Sequence, residues 1–145
     1  MSNPAPTTST TSTTPAAVGK DYTLHCHCRT HVATLHSFPL ETCLKITCNC
    51  SICTDRGVIM AYTPGTSVSF TIDGKEVYGS EALELLKDSL ATYEFGQKQV
   101  QWRFCNRCGS NILGVKEGVW GFNLRCVDGI DLKAFKLVEH DGRST

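Results

Sequence analysis

The chain has 145 residues, a length that fits one domain with a core of its own. Lys plus Arg and Asp plus Glu stand at 14 each, so the formal net charge is zero. With no basic run either, no nucleic-acid partner is expected. No stretch approaches the roughly 20 apolar residues of a membrane span, and the N-terminus lacks the basic and apolar segments of a signal peptide, so a cytoplasmic protein without a membrane partner is expected.

Residues 1–19, MSNPAPTTSTTSTTPAAVG, carry no charged and no aromatic side chain. Such a Ser/Thr/Pro-rich segment has little to bury and is expected to be a disordered tail, leaving residues 20–145 as the domain. DYTLHCHC alternates, with Tyr22, Leu24 and Cys26 on one face. VATLHSFPL reads as a second strand ending near Pro39, and TCLKITCNC alternates again and delivers Cys48 and Cys50. SVSFTIDGKEVYGS is a hairpin signal, two alternating runs around Asp73-Gly74.

SEALELLKDSL predicts one short helix from about Glu81 to Leu90. Ser80 is its N-cap, and Leu83, Leu86 and Leu90 form its apolar stripe. Strands resume in ATYEFG, QVQWRFC, NILGVK and WGFNLRC, with a last short run near LKAFKLVE. The pattern is that of a mainly β domain of short strands pinned by metal.

Nine cysteines are present, and seven of them fall into three groups. Clustered cysteines in a reducing compartment more often bind metal than form disulfides. Cys105 and Cys108, in FCNRCGS, have the spacing of half a zinc knuckle, whose turn points both sulfurs at one ion. Cys26 and Cys28 are the simplest partner pair and complete a four-thiolate tetrahedron. Cys48, Cys50 and Cys53, in CNCSIC, then stand alone with three ligands. Two readings stay open for them. Cys43 or Cys126 closes the site, or the fourth position is left for an exchangeable ligand, as in catalytic zinc sites. Three thiolates on Zn²⁺ leave a net charge of about −1, a weak Lewis acid suited to soft ligands rather than to making hydroxide. The fitting exchangeable ligand is a substrate sulfur, held as a nucleophile or released as a leaving thiolate.

The order CHC, CNCSIC, RFCNRCGSNI and NLRCVDGIDL resembles the glutathione-dependent formaldehyde-activating enzyme family, which includes centromere protein V-like proteins. The resemblance runs from about Tyr22 to Leu137. It implies a zinc-bound β-tent of small stacked antiparallel sheets and two zinc ions. One is structural on Cys26, Cys28, Cys105 and Cys108, and one is catalytic on Cys48, Cys50 and Cys53. It also implies carbon–sulfur lyase chemistry on a small-molecule thiol adduct, with glutathione as cosubstrate, as in S-hydroxymethylglutathione synthesis. The chain departs from the family where Arg29-Thr30-His31 follow the first group and where Trp102 stands in a position that is often His. Those changes leave room for a bulkier substrate of specialised metabolism. A non-catalytic zinc module that binds a protein is the rival reading.

Among the other candidates, Asp55 would be a general base, and Arg56 would pair with a substrate carboxylate, including those of glutathione. Arg56 is also readable as a solvated loop charge, and spacing alone gives Asp55 no geometry. Arg125, with Asn123 and Asp128 near it, is a candidate for binding the cosubstrate. Trp102 and Trp120 read as an aromatic pocket wall or as core side chains. His25, His27, His31 and His36 are expected to be surface or packing residues rather than ligands.

Overall fold

The structure is a computed structural model that describes residues 19–144. The first 18 residues of the Ser/Thr/Pro-rich tail lie outside the described residues. Among the described residues, eleven strands form two sheets. No helix among the described residues is long and apolar enough to cross a membrane.

The smaller sheet takes β1 (Lys20–His25), β2 (Val32–Phe38), β5 (Val68–Ile72) and β6 (Lys75–Tyr78), in that order and all antiparallel. The alternation read from the sequence sets its faces: Leu24 opposes Ala33, and Ala33 opposes Phe70, all three buried. The β5–β6 hairpin turns at Asp73-Gly74, with φ of 51° and 79°, the left-handed pair that a two-residue primed turn requires.

The larger sheet adds β3 (Ile46–Cys48), β4 (Met60–Pro64), β7 (Leu90–Tyr93), β8 (Gln101–Cys105), β9 (Asn111–Lys116), β10 (Val119–Asn123) and β11 (Val138–His140). Its order is β11-β3-β4-β10-β9-β8-β7. Not every pair is antiparallel, as the all-antiparallel expectation had it: β11 runs parallel to β3, with His140 opposite Cys48. This long-range pairing brings the C-terminal segment alongside the middle cysteine group.

The main core lies between the sheets. Phe38 of β2 meets Phe122 of β10 edge to face, with ring centroids 5.0 Å apart. Trp120 belongs to this core. A second, smaller cluster of Ile52, Cys53, Val58, Met60 and Trp102 lies on the opposite face of the larger sheet, since Met60 and Ala61 alternate between the two clusters.

Among the described residues, two short α-helices are present rather than one. α2 spans Gly79–Leu85, not Glu81 to Leu90, and its N-cap is Tyr78 rather than Ser80. Leu83 and Leu86 still pack on the main core as the stripe predicts, whereas Leu90 reaches it from the next strand, β7. α1 spans Ser51–Arg56 and ends at Gly57, whose left-handed φ of 63° lets its N–H reach the Cys53 carbonyl.

Candidate metal centres

The four sulfurs of Cys26, Cys28, Cys105 and Cys108 converge within 4.8 Å of one another. Cys28 Sγ lies 3.7 Å from both Cys26 Sγ and Cys105 Sγ. Zn–S bonds of about 2.3 Å in a tetrahedron put sulfurs about 3.8 Å apart, so the donor set fits that ion. Two turns build the site. One follows β1 and carries Cys26 and Cys28; the other links β8 to β9 and carries Cys105 and Cys108. Amide groups of Arg107 and Cys108 point at Cys105 Sγ, at 3.3 and 3.5 Å, and the His31 amide points at Cys26 Sγ at 3.3 Å. Hydroxyls of Thr30 and Ser110 lie 3.0 and 3.3 Å from Cys28 and Cys108 Sγ. Burial, with the neighbouring thiols, pushes the Cys26 thiol up to about 12 against the pull of the His31 amide. Burial also raises Cys108, but the Ser110 hydroxyl and amide and the Cys28 backbone outweigh it and bring Cys108 down to about 5. A metal bound here displaces the protons that remain.

His31 lies beside the four sulfurs, and of the two expectations for it, surface or packing, it is a packing residue. Its ring is buried, with Nδ1 3.8 Å from Cys26 Sγ and Nε2 3.0 Å from Ser89 Oγ. Burial lowers its pKa, which favours the neutral ring.

Cys48, Cys50 and Cys53 converge separately, again within 4.8 Å, and no other His, Cys, Asp or Glu among the described residues joins them. Cys43 and Cys126 do not close the site. The Cys43 thiol points at the Leu40 carbonyl at 3.5 Å, and Cys126 at the Asn111 carbonyl at 3.8 Å. The neighbouring charge of Cys108 acts on Cys126, which places it by the tetrad; burial first, and then that charge, push Cys126 up to about 11.

The local fold explains the convergence. Cys48 ends β3, Cys50 is the N-cap position of α1, and Cys53 is its third residue. The Cys50 amide points at Cys48 Sγ at 3.4 Å. No side-chain cap hydrogen bond forms at Cys50. Burial raises the Cys50 thiol, but the Cys53 amide, the Cys53 and Cys48 thiols and the Ile52 amide together outweigh it and lower it. Burial, with the neighbouring Cys50 and Cys48, pushes Cys53 up to about 12.

Two walls flank this triad. The first is the C-terminal segment. The Asn49 amide donates to the His140 carbonyl at 3.2 Å, Asn49 Nδ2 donates to Asp141 Oδ1 at 2.8 Å, and Asn49 Oδ1 accepts from the Arg143 amide at 2.9 Å. The second is a groove of about 350 Å³ containing Cys50, Ile52, Phe95, Val100 and Trp102. A further groove of about 300 Å³ runs along α1; it shares Ile52 and Phe95 with the second, contains none of the triad cysteines, and is lined by Asp55, Arg56 and Tyr93. Arg56 is held in place there. Its Nη1 donates to Asn111 Oδ1 at 3.0 Å, and its guanidinium lies 5.5 and 5.4 Å from the ring centroids of Tyr93 and Phe104. Asp55 is exposed on the same helix.

Arg125 stands elsewhere. It is exposed in a groove with His25, His27, Ser110, Cys126 and Asp128, and none of the triad cysteines lines that groove. Asn123 is buried and structural, accepting the Ile59 and Arg125 amides at 3.2 and 3.1 Å. Tyr62, Phe95 and the Asn49 clamp were not singled out by the sequence reading, and no local pattern marks them.

No family model matches the chain, and no curated protein matches it. Among the solved structures that match is a crystal structure of a Rhodobacter sphaeroides protein from a structural-genomics programme. It has a TM-score of 0.58 and 21% identity, over 81% of this chain and 97% of that one. That likeness shows a shared fold.

Proposed function

We propose that this chain is a zinc-dependent enzyme that forms or cleaves a carbon–sulfur bond in a glutathione or other thiol adduct. The observation that carries the reading is the triad: three converged thiols with no fourth protein ligand among the described residues, with Cys50 lining one groove and a second groove sharing Ile52 and Phe95 with the first. Zinc held by Cys48, Cys50 and Cys53 would supply a soft Lewis acid that favours the anionic form of a substrate thiol. Arg56, fixed by Asn111 and two rings, presents a cation for a substrate carboxylate. The Asp55 carboxylate lines the same groove and is the base available to take the substrate's proton. Arg125 is left without a part in this site. The tetrad is assigned a structural role. Free thiols at ligand spacing, rather than disulfides, suit a reducing compartment and hence the cytoplasm.

The test is a panel of glutathione and other thiol conjugates incubated with the zinc-loaded full chain, with the released or consumed thiol followed by mass spectrometry. Turnover of at least one conjugate, lost together with one zinc ion in Cys50→Ser, supports the reading. Full turnover in that variant with one zinc fewer overturns it.

A further inference from the structure

One row of residues crosses four strands of the larger sheet on the triad's face. Trp102 opposes Gly114, Gly114 opposes Gly121, and Gly121 opposes Tyr62. Directly opposed residues share a face, so two aromatic side chains flank a floor made of two glycines. The floor is needed where it is. A Cβ on Gly114 would stand 3.1 Å from Trp102 Cζ3, and one on Gly121 would stand 2.6 Å from Met60 Cε and 3.0 Å from Tyr62 Cε1. The large side chains therefore lean in against the glycines, and together with Val100, Lys116 and Val119 they line a trough of about 300 Å³ in which both glycines take part.

The trough adjoins the triad. Trp102 and Met60 pack in the same cluster as Cys53, with Cys48 and Cys50 against it. Tyr62 is 46% exposed and Val119 is 50% exposed, an unusual amount of free apolar surface on two strands inside a sheet.

We propose that this trough holds the flat apolar part, most simply an aromatic ring system, of a thiol whose sulfur sits at the triad. This rests on the reading that the triad takes a substrate sulfur. The glycine floor and flanking rings favour a planar group over a branched or strongly polar one. A ring bearing an acidic or hydroxyl group would meet Lys116 at the trough's border. The substrate class is then an aromatic thiol or thioether conjugate, with glutathione itself lacking the part that the trough recognises.

The probes are 2-(2-naphthyl)ethanethiol, 2-mercaptoethanol and glutathione, titrated into the cobalt-loaded full chain and followed by thiolate-to-metal absorption. The naphthyl thiol is expected to bind at least tenfold more tightly than 2-mercaptoethanol. That ratio is expected to fall to within about twofold in Tyr62→Ala and, separately, in Val119→Ser. Equal affinities for the three thiols overturn the trough while leaving the sulfur site standing, and so does a ratio that persists in both variants. A chain that is dimeric in solution and becomes monomeric in Tyr62→Ala shows the trough to be an interface between copies, and also overturns it. No absorption change with any thiol overturns the sulfur site itself, and the trough with it.

Discussion

Gly142 lies directly against Cys48: a Cβ added to Gly142 would stand 2.6 Å from Cys48 Sγ and 3.1 Å from Cys50 Cβ. The segment cannot simply swing away, because Asn49 holds it through His140, Asp141 and Arg143. Even one methyl group at position 142 must therefore displace a ligand sulfur or break the clamp. Gly142→Ala is expected to weaken metal binding at the triad by about 10–100-fold, the range seen when groups supporting metal ligands are disturbed. Competition with a chromophoric chelator reads both sites at once. The tighter tetrad ion should be unaffected, and an unchanged weaker ion would show that the C-terminal wall has no hold on the site.

The two cysteine groups should behave oppositely when broken. The tetrad ties the turn after β1 to the β8–β9 turn, and Cys26 and Cys105 are fully buried. Metal binding there is folding free energy, so Cys108→Ser should abolish cooperative thermal unfolding or lower its midpoint steeply. The triad lies on the far face of the sheet from the main core, so Cys53→Ser should lose one metal ion per chain and still unfold cooperatively. Similar melting behaviour in the two variants would refute this division of roles.

Trp102 and Trp120 are both buried, in different clusters. Truncating either to Ala should destabilise the metal-loaded chain by about 3–5 kcal/mol, read from urea unfolding. Only Trp102→Ala should also alter the cobalt spectrum of the triad, because only Trp102 packs with Cys53. A spectral change of the same size from Trp120→Ala would contradict the separation of the two clusters.

His31 connects the tetrad to Ser89 at the start of the β7–β8 region, through a neutral ring. His31→Ala should weaken tetrad metal binding by about 10–100-fold while leaving the triad's affinity in place. His31→Gln, which can still reach Ser89, should recover part of the loss. Equal affinity in wild type and His31→Ala would make the ring a packing residue alone.

Much of this was legible in the chain because its signals are local. Cys-x2-Cys with Gly109, and Cys26 with Cys28, are turns whose sulfurs converge within a few residues, and Asp73-Gly74 fixes its hairpin by backbone conformation alone. The strand read at NILGVK forms as β9, and those at VATLHSFPL and QVQWRFC form inside the stretches read. α1 escaped because six residues show less than two turns of periodicity; its one sequence sign was Gly57, placed to end it. β4 escaped because GVIMAYTP is apolar on both faces, serving one cluster with Met60 and the other with Ala61. The walls of the triad come from tertiary pairing: β11 on β3, and the row from Trp102 to Tyr62. Arg125 is read from the family-like stretch NLRCVDGIDL, and which groove it lines, one without the triad cysteines, is set by tertiary structure.

The central claim is that the triad keeps a position open for a sulfur that the protein does not supply. Extended X-ray absorption at the zinc edge, on the full chain carrying two zinc ions, tests it most directly. Seven protein sulfurs shared by the two ions are predicted without added thiol, with one oxygen or nitrogen neighbour at the triad, rising to eight sulfurs when a substrate thiol is added. Eight sulfurs already present without thiol, and unchanged by it, would mean that the site is closed by the protein and would contradict the account.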